Sequence, residues 1–196
     1  MTSGSKSIIP SVQLLNAYKI GLFPMADRNG KINWFEPKAR AILPFENLKI
    51  SRSLKAKIKK NIYEVTIDKS FKDVVQNCAS RNETWISDEI IESYQNLFKL
   101  GFAHSIETRF NNELVGGLYG VSIGGAFYGE SMFSKLTDAS KIALVKLVEH
   151  LTLKKFILLD CQFITPHLKS LGAIEITKNE YIILLNKAIK LKTKFN

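Results

Sequence analysis

The chain has 196 residues, 45% of them hydrophobic, which is enough for the core of one domain, or of one domain with a small accessory lobe, and argues against extensive disorder. Its 28 Lys and Arg residues outnumber 18 Asp and Glu residues, and the net charge of +10 favours a polyanionic partner such as nucleic acid or an acidic membrane surface. The sequence shows neither a signal-peptide core nor the ~20 apolar residues that a membrane span requires, so we expect a cytoplasmic protein without membrane association.

Cysteine and histidine are sparse and scattered. Cys78 and Cys161 lack the paired spacing of a metal site, which fits a reducing compartment and predicts no disulfide framework. His104, His150 and His167 are far apart and have no ligand-like companions at short spacing. The sequence therefore predicts no metal site.

The N-terminal part predicts a small lobe. Apolar residues at near-helical spacing predict a helix over residues 10–22. Residues 23–45 contain three prolines and an Asn-Gly pair, which indicate turns and short strands around Trp34. Trp34, Phe35 and Glu36 form either a stacking rim for a nucleotide or a plug at a domain junction.

Residues 49–60 contain six basic residues and no acid. Leu54 and Ile58 lie four residues apart, which predicts one apolar face on a basic helix. Such a helix is either a phosphate-binding face or a solvated lysine-rich surface. A strand over 63–67 and helices over 71–78 and 87–100 follow, with the loop 81–87 between the two helices.

A glycine-rich hairpin dominates the middle of the chain. A strand is predicted over 104–110, and residues 114–134 read as two strands joined by a turn at 122–125. The six glycines of this segment indicate either close approach of a ligand to the backbone or a twisted, bulged hairpin under a helix.

The C-terminal third predicts three helices and two strands. Thr137 or Asp138 is expected to cap a helix that ends near Leu153 and is apolar enough to be buried on two sides. An interior strand over 156–159 follows. A short helix over 165–171, a strand around Ile174 and a helix over 178–190 complete the chain.

Two carboxylates lie in apolar surroundings at the ends of predicted strands. Glu130 ends the run FYGE, and Asp160 ends ILLD two residues before Gln162. If the two strands are neighbours, all three side chains line one crevice that suits a cationic group and a polarised carbonyl. The alternative is that Asp160 caps the following helix. The GxSxG, GxxxxGK[ST] and GxGxxG motifs are absent, so an esterase elbow, NTP binding and NAD binding are disfavoured.

Several short segments, distributed along the whole chain, form one ordered set of motifs: AYKIGLFPM, WFEPKARAILP, ISRSLK, TWI, GFAHSIE, ELVGGLYGV, GESMFS, DCQF and LGA. In this order they make the sequence resemble the leucyl/phenylalanyl-tRNA–protein transferases. The resemblance implies an α+β fold with a small N-terminal domain, residues 1–45, and a GNAT-like, that is acetyltransferase-like, domain, residues 46–196. It implies a mixed, mainly antiparallel sheet flanked by helices in the second domain.

The resemblance also implies an activity. Such an enzyme is expected to transfer Leu or Phe, and less readily Met, from Leu-tRNA or Phe-tRNA to the α-amino group of proteins that begin with Arg or Lys, which marks them for N-end rule degradation. Aminolysis of an ester already activated by the tRNA needs no ATP, metal or other cofactor. We expect a monomer.

Site residues follow from the same resemblance. Asp160 and Gln162 are the implied catalytic positions, and Glu130 is implied to shape the reacting centre. Asp160 is either a base for the attacking amine or an electrostatic group. The implied substrate-contact residues are an apolar pocket and two tryptophans near the terminal adenosine: Leu118, Met132, Leu144, Leu147, Leu151, Leu159, Trp34 and Trp85. From their charge, the basic residues of the predicted helix are expected to bind the acceptor stem of the tRNA: Arg52, Lys55, Lys57, Lys59 and Lys60.

Two other interpretations remain open from the sequence. A non-catalytic RNA-binding module would use only the basic helix and the tryptophans. A conventional acetyltransferase would need the Q-x-x-G-x-G/A phosphate cradle for coenzyme A, and residues 134–140 lack it.

Overall fold

The computed structural model describes residues 8–80 and 84–196, so the first three residues of the predicted loop 81–87 lie outside the described residues. The described chain has an α+β fold. Its helices are α1 (Ser11–Lys19), α2 (Arg52–Lys59), α3 (Phe71–Ala79), α4 (Asp88–Lys99), α5 (Ala139–Leu153), α6 (Pro166–Ser170) and α7 (Lys178–Ala188). Its strands are β1 (Phe23–Ala26), β2 (Ile32–Phe35), β3 (Ala39–Ile42), β4 (Glu64–Ile67), β5 (Ala103–Phe110), β6 (Glu113–Ile123), β7 (Ala126–Ser134), β8 (Leu158–Gln162) and β9 (Ile174–Thr177). The predicted elements are confirmed with shifts of a few residues.

The strands form a hairpin, β1–β2, and a large sheet in the order β4-β5-β6-β7-β8-β3-β9. Pairing in the large sheet is antiparallel except between β7 and β8, which run parallel. The predicted mixed, mainly antiparallel sheet is therefore confirmed. Hairpin β6–β7, helix α5 and strand β8 follow one another in the order expected of a GNAT-like domain.

The parallel pair β7–β8 determines where the sheet opens. Pairing runs from Ala126 opposite Leu158 to Tyr128 opposite Asp160, whereas β7 continues to Ser134. Helix α5 makes the crossover between the two strands, as parallel pairing requires. Beyond Tyr128 the two strands part, and the carboxyl ends of both face the gap.

Helix α5 is buried on two sides, as its composition predicts. Leu144 and Leu147 pack on the large sheet with Phe127. Ile142 and Val145 form a second cluster with Leu54, the buried residue of α2. The predicted apolar face of the basic helix therefore packs on α5 and leaves the lysines outside.

The start of α5 differs from its predicted cap. Asp138 precedes the helix, but its side chain makes no capping hydrogen bond, and its φ of 71° is left-handed. The carboxylate instead accepts from Lys57 Nζ at 2.6 Å and from Lys141 Nζ at 2.9 Å. The prediction of a side-chain cap was wrong because two cations compete for the carboxylate. The same ionic bonds hold the pKa of Asp138 below its usual value.

Strand β8 is longer than predicted. It continues beyond Leu159 to Gln162, because β3 pairs with it on the side opposite β7. Strand β3 lies within residues 1–45, and its pairing ties residues 39–42 to the large sheet. The division into domains 1–45 and 46–196 stays a prediction. No helix among the described residues is both long and apolar enough to cross a membrane.

Candidate active site

A cavity of about 500 Å³ lies where β7 and β8 part, with α5 and α6 on its sides. Its wall is mainly apolar, and its polar side chains include Glu130 and Gln162. A wall of this kind binds an apolar group and orients it with few polar contacts. The predicted site residues that line the cavity are Leu118, Met132, Leu144, Leu147, Leu159, Trp85, Glu130 and Gln162.

Three predicted residues are absent from the described wall of this cavity. Leu151 is fully buried with the α5 cluster. Trp34 packs half-buried against the other core cluster, and Met25 of the paired strand lines the cavity instead. A hydrogen bond from Ala26 N to Trp85 O, 3.1 Å, places β1 beside Trp85. The third, Asp160, is completely buried behind the cavity.

Glu130 reaches the cavity because of a β-bulge. In the β6–β7 ladder Tyr119 pairs with Ser131 and Gly120 pairs with Gly129, so Glu130 has no partner opposite it. A Cβ at Gly120 would lie 2.2 Å from Tyr128 O, so only glycine fits there. Bulges re-aim side chains in this way next to functional sites. The glycines thus serve both a bulged hairpin and a site.

The Glu130 carboxylate is buried and accepts three hydrogen bonds. Oε1 accepts from Tyr18 Oη at 2.7 Å and from Gln162 Nε2 at 2.8 Å. Oε2 accepts from Tyr94 Oη at 2.9 Å, and the two tyrosine hydroxyls also contact each other. Burial raises the pKa of Glu130 to about 7, although the tyrosine hydrogen bonds oppose the shift. The carboxylate therefore changes charge near neutral pH.

Asp160 belongs to a buried ion pair with Arg40. Arg40 Nε donates to Oδ1 at 2.9 Å, and Nη2 donates to Oδ2 at 2.6 Å. Tyr181 Oη donates to Oδ2 at 2.6 Å. Arg40 Nη1 also donates to Gly21 O at 2.9 Å, and the guanidinium lies over the rings of Phe23 and Tyr181. The expectation that Asp160 faces the same crevice as Glu130 was wrong, because both of its oxygens point into this pair.

The alternative expectation for Asp160, a helix cap, is also wrong. The side chain that caps α6 is Thr165, whose hydroxyl accepts from Leu168 N. Asp160 Oδ1 instead accepts from the backbone N of Gln162 at 2.8 Å. Asp160 thus acts on the backbone of the residue that does line the cavity.

Gln162 connects the two carboxylates. Its backbone is left-handed, with φ of 64°, and lies beside a second irregularity, where Ala41 pairs with Gln162 and Ile42 with Asp160. Its backbone N donates to Asp160 and its side-chain Nε2 donates to Glu130. The remaining polar atom of this amide, Oε1, is an acceptor on a residue of the cavity wall.

The predicted tRNA-binding residues lie on α2 and at its C-terminal cap, Lys60, and none of them lines this wall. Arg52, Lys55, Lys59 and Lys60 are exposed, and Lys57 is half-buried against Asp138. Ser51 caps the helix by accepting from Leu54 N. The helix thus presents a basic surface next to the N-terminal end of α5.

The N-terminal end of α5 argues against coenzyme A. Ala139 N donates to Leu136 O at 3.1 Å, and Ser140 N donates to Ser134 Oγ at 3.2 Å. Asp138 adds a carboxylate at the same end. N–H groups that already have acceptors are less available to a pyrophosphate. Within residues 8–80 and 84–196, no group of three or more His, Cys, Asp or Glu side chains is placed to hold a metal ion.

Sequence reasoning missed the residues that fix the carboxylates. Arg40 was the one with a signal, because it directly precedes the apolar run AILP, where a buried Arg requires a partner. Tyr18, Tyr94 and Tyr181 gave none, since each is an ordinary apolar position of a predicted helix. Missed residues of the cavity wall include Met25, Tyr119, Phe133, Cys161, Phe163 and His167.

Comparison with known proteins shows which family the chain belongs to. The sequence matches the family model described as leucyl/phenylalanyl-tRNA protein transferase over residues 42–186, and the model of that family's N-terminal domain over residues 12–38. A protein of that name from Ruegeria sp. strain TM1040 is 51% identical over 178 residues, which cover 90% of this chain and 85% of that protein. Another from Herpetosiphon aurantiacus is 48% identical over 192 residues, covering 97% of this chain and 100% of that protein.

Solved structures overlap less closely. The structure of L-PGS from Bacillus licheniformis has a TM-score of 0.49 and 11% sequence identity, covering 91% of this chain and 70% of that one. We draw nothing about activity from that overlap. The sequence matches alone are sufficient to show the family. This chain belongs to the leucyl/phenylalanyl-tRNA–protein transferase family and is an aminoacyltransferase.

Proposed function

We propose that this enzyme transfers Leu or Phe, and less readily Met, from aminoacyl-tRNA to the N-terminal α-amino group of proteins that begin with Arg or Lys. The transferred residue marks the protein for N-end rule degradation. The observation that carries the proposal is the single cavity whose mainly apolar wall includes the Glu130–Gln162 pair.

The donor side chain lies in the apolar part of the cavity. Leu118, Leu144, Leu147 and Leu159 supply branched walls that complement an unbranched Cβ and disfavour the shapes of Val and Ile. The adenine of the donor lies against Trp85, with Met25 nearby, because stacking tolerates a base without reading its edges.

The reaction requires positioning rather than a strong base. The α-amino nitrogen attacks the ester carbonyl carbon, the bond to the ribose oxygen breaks, and a proton passes from the amine to that leaving oxygen. Gln162 Oε1 accepts a hydrogen bond from the attacking amine, while Glu130 holds the amide in place. An α-amino group with a pKa of about 7.7–8.0 is partly neutral at physiological pH.

Asp160 is a positioning residue in this proposal. It holds the left-handed backbone of Gln162 through the N–H group and holds Arg40 through both oxygens. Single-turnover transfer by Asp160→Asn, measured against pH, tests this role. A lower rate with an unchanged pH profile supports positioning, and the loss of a titrating limb would identify Asp160 as a base.

The acceptor carries a cation in its first side chain. Glu130 supplies the only carboxylate among the described residues of the cavity wall. The chain as a whole has a net charge of +10. We propose that Glu130 attracts the acceptor's N-terminal residue. The basic surface of α2 binds the acceptor stem of the tRNA. The enzyme acts as a monomer in the cytoplasm, where aminoacyl-tRNA is made.

Incubation of Leu-tRNA with a peptide that begins with Arg, followed by mass spectrometry, tests the proposal. We expect one leucyl addition at the α-amino group. The same peptide with an acetylated N-terminus, and a peptide beginning with Ser, serve as controls and should remain unmodified. Equal modification of the Ser peptide, or transfer from acetyl-CoA, would overturn it.

A further inference from the structure

Two exposed phenylalanines form a surface that borders the cavity. Phe163 follows Gln162 at the end of β8, lines the cavity and is 45% exposed. Its ring packs edge-on against the buried ring of Phe23, with 5.6 Å between the centroids. Phe35 of β2 stacks on the same buried ring at 6.1 Å and is 36% exposed. The rings of Phe163, Phe23 and Phe35 together form the aromatic rim.

The aromatic rim is fixed from the protein side. Phe23 is fully buried, and the guanidinium of Arg40 lies over its ring at 4.7 Å. Arg40 is held in turn by the buried ion pair with Asp160. Phe163 therefore presents an exposed apolar face in a defined position beside the cavity, as binding surfaces do.

The rim and the proposed position of the adenine lie at opposite ends of β1. At one end, Ala26 N donates to Trp85 O. At the other end, Phe23 contacts Phe163. The three steps of strand between Ala26 and Phe23 span about 10 Å. The donor adenosine against Trp85 therefore leaves Phe163 free for another part of the substrates.

The charges near the rim favour a peptide over a nucleic acid. The described residues that line the cavity include no Lys or Arg, and they include the carboxylate of Glu130. Next to Phe35, Glu36 pairs with Lys178, so this cation already has an anionic partner. A nucleotide stacked on the rim would bring a phosphate that needs a cation. A protein chain that begins with Arg or Lys brings no such requirement.

The acceptor chain passes close to Phe163 in the proposed reaction. The attacking amine is hydrogen-bonded to Gln162 Oε1 in that proposal, and Gln162 directly precedes Phe163. The Cα of the acceptor's second residue is only about 3.8 Å from the Cα of its first. A side chain on the second residue is therefore within reach of the Phe163 ring.

We infer that the aromatic rim binds the side chain of the acceptor's second residue, and that Phe163 makes acceptors with an apolar residue at this position better substrates. The inference rests on the proposed function, because it takes the acceptor amine to lie at Gln162. Phe163 determines specificity in this account and takes no part in the transfer of the proton or of the aminoacyl group.

Two peptides that differ only at the second residue test the inference. Both begin with Arg, which is followed by Leu in one peptide and by Asn in the other. These two side chains are similar in shape and differ in polarity. The donor is leucyl-adenosine, which excludes a contribution from further nucleotides. The measurement is the ratio of kcat/KM for the Leu peptide to kcat/KM for the Asn peptide.

We expect a ratio of about five for the wild-type enzyme, the effect of burying part of one apolar side chain. Phe163→Ala should bring the ratio near one, whereas Phe163→Leu keeps an apolar side chain and should retain most of it. Phe102→Ala is the matched control and should keep the wild-type ratio, because Phe102 is 36% exposed and does not line the cavity. Circular dichroism checks that each variant is folded.

A wild-type ratio of one, or a ratio that persists in folded Phe163→Ala, would overturn the inference. A base-stacking role would overturn it as well. Such a role would appear as an unchanged ratio in Phe163→Ala together with a loss of kcat/KM that is larger for leucyl-cytidylyl-adenosine than for leucyl-adenosine.

Failure of the proposed function gives a different result. If the enzyme transfers leucine to neither peptide, the proposed function fails and the inference falls with it. Equal transfer to both peptides would support the proposed function and remove only the role of the rim. The two failures are therefore distinguishable.

Discussion

Gln162 Nε2 donates to Glu130 Oε1 over 2.8 Å, and this bond joins two irregularities in neighbouring strands. Glu130 is the unpaired residue of the β6–β7 ladder, and Gln162 lies beside the register shift between β3 and β8. Regular ladders would place these residues in the pleat of the sheet. The irregularities turn both side chains into the same cavity.

Replacement of Glu130 should change the pH dependence of transfer. Because its pKa is about 7, the carboxylate loses its charge as the pH falls through neutrality. The acceptor amine is protonated over the same range. We expect log kcat/KM for the wild type to fall with a slope of two below pH 7, and for Glu130→Gln to fall with a slope of one.

The measurement is single-turnover transfer from leucyl-adenosine between pH 5.5 and 9. Titration of the free peptide fixes the pKa of its amine and serves as the control. Identical slopes for the two enzymes would show that the charge of Glu130 plays no part in the reaction.

Replacement of Arg40 should destabilise the fold. Arg40→Met leaves the buried Asp160 carboxylate without its cation, and such a loss costs about 3–5 kcal/mol. Urea denaturation followed by circular dichroism measures it. Lys178→Met removes the cation of an exposed pair with Glu36 and should cost at most about 1 kcal/mol. Equal costs for the two variants would contradict the importance of the buried pair.

Two leucines of α5 distinguish the donor cavity from the core. Leu144→Ala enlarges the cavity wall, so the kcat/KM ratio for Phe-tRNA over Leu-tRNA should rise several-fold. Leu151→Ala creates a cavity in the core behind it and should leave the ratio unchanged. Both variants should lose about 2–5 kcal/mol of unfolding free energy. A change of donor preference in Leu151→Ala alone would place the amino-acid pocket elsewhere.

Gly120→Ala tests the bulge that presents Glu130. The added methyl group would meet Tyr128 O and the Phe127 ring, so the strands must move apart at this point. We expect lower transfer and a lower melting temperature. Gly129→Ala is the control for stability, since its Cβ would lie 3.4 Å from Asp160 O, an ordinary contact. Unaltered transfer by folded Gly120→Ala would show that the bulge is dispensable.

The sequence predicts the individual helices and strands better than it predicts which strands pair with one another. Periodicity identifies α5 and its two apolar faces, since Ile142 and Leu144 point to different clusters. It cannot show that β3 lies between β8 and β9, because that pairing joins residues more than a hundred positions apart.

The site was predictable only in part for the same reason. Glu130 and Gln162 share the cavity because β7 and β8 are neighbours, which is the condition that the sequence-based expectation stated. Asp160 points to the face of β8 opposite the cavity and contacts Arg40 there. The two residues are distant in the sequence, so local pattern does not reveal this contact. Trp34 and Met25 lie on paired strands, and local sequence does not decide which of the two faces the cavity.

The central claim is that the transferred amino acid lies between the leucines of this cavity with its carbonyl near Gln162. A crystal structure with 3′-leucylamino-3′-deoxyadenosine, whose amide cannot be transferred, tests it most directly. We predict the leucyl side chain against Leu118 and Leu147, the carbonyl beside the Glu130–Gln162 pair and the adenine against Trp85. A leucyl side chain bound outside this cavity would contradict the account.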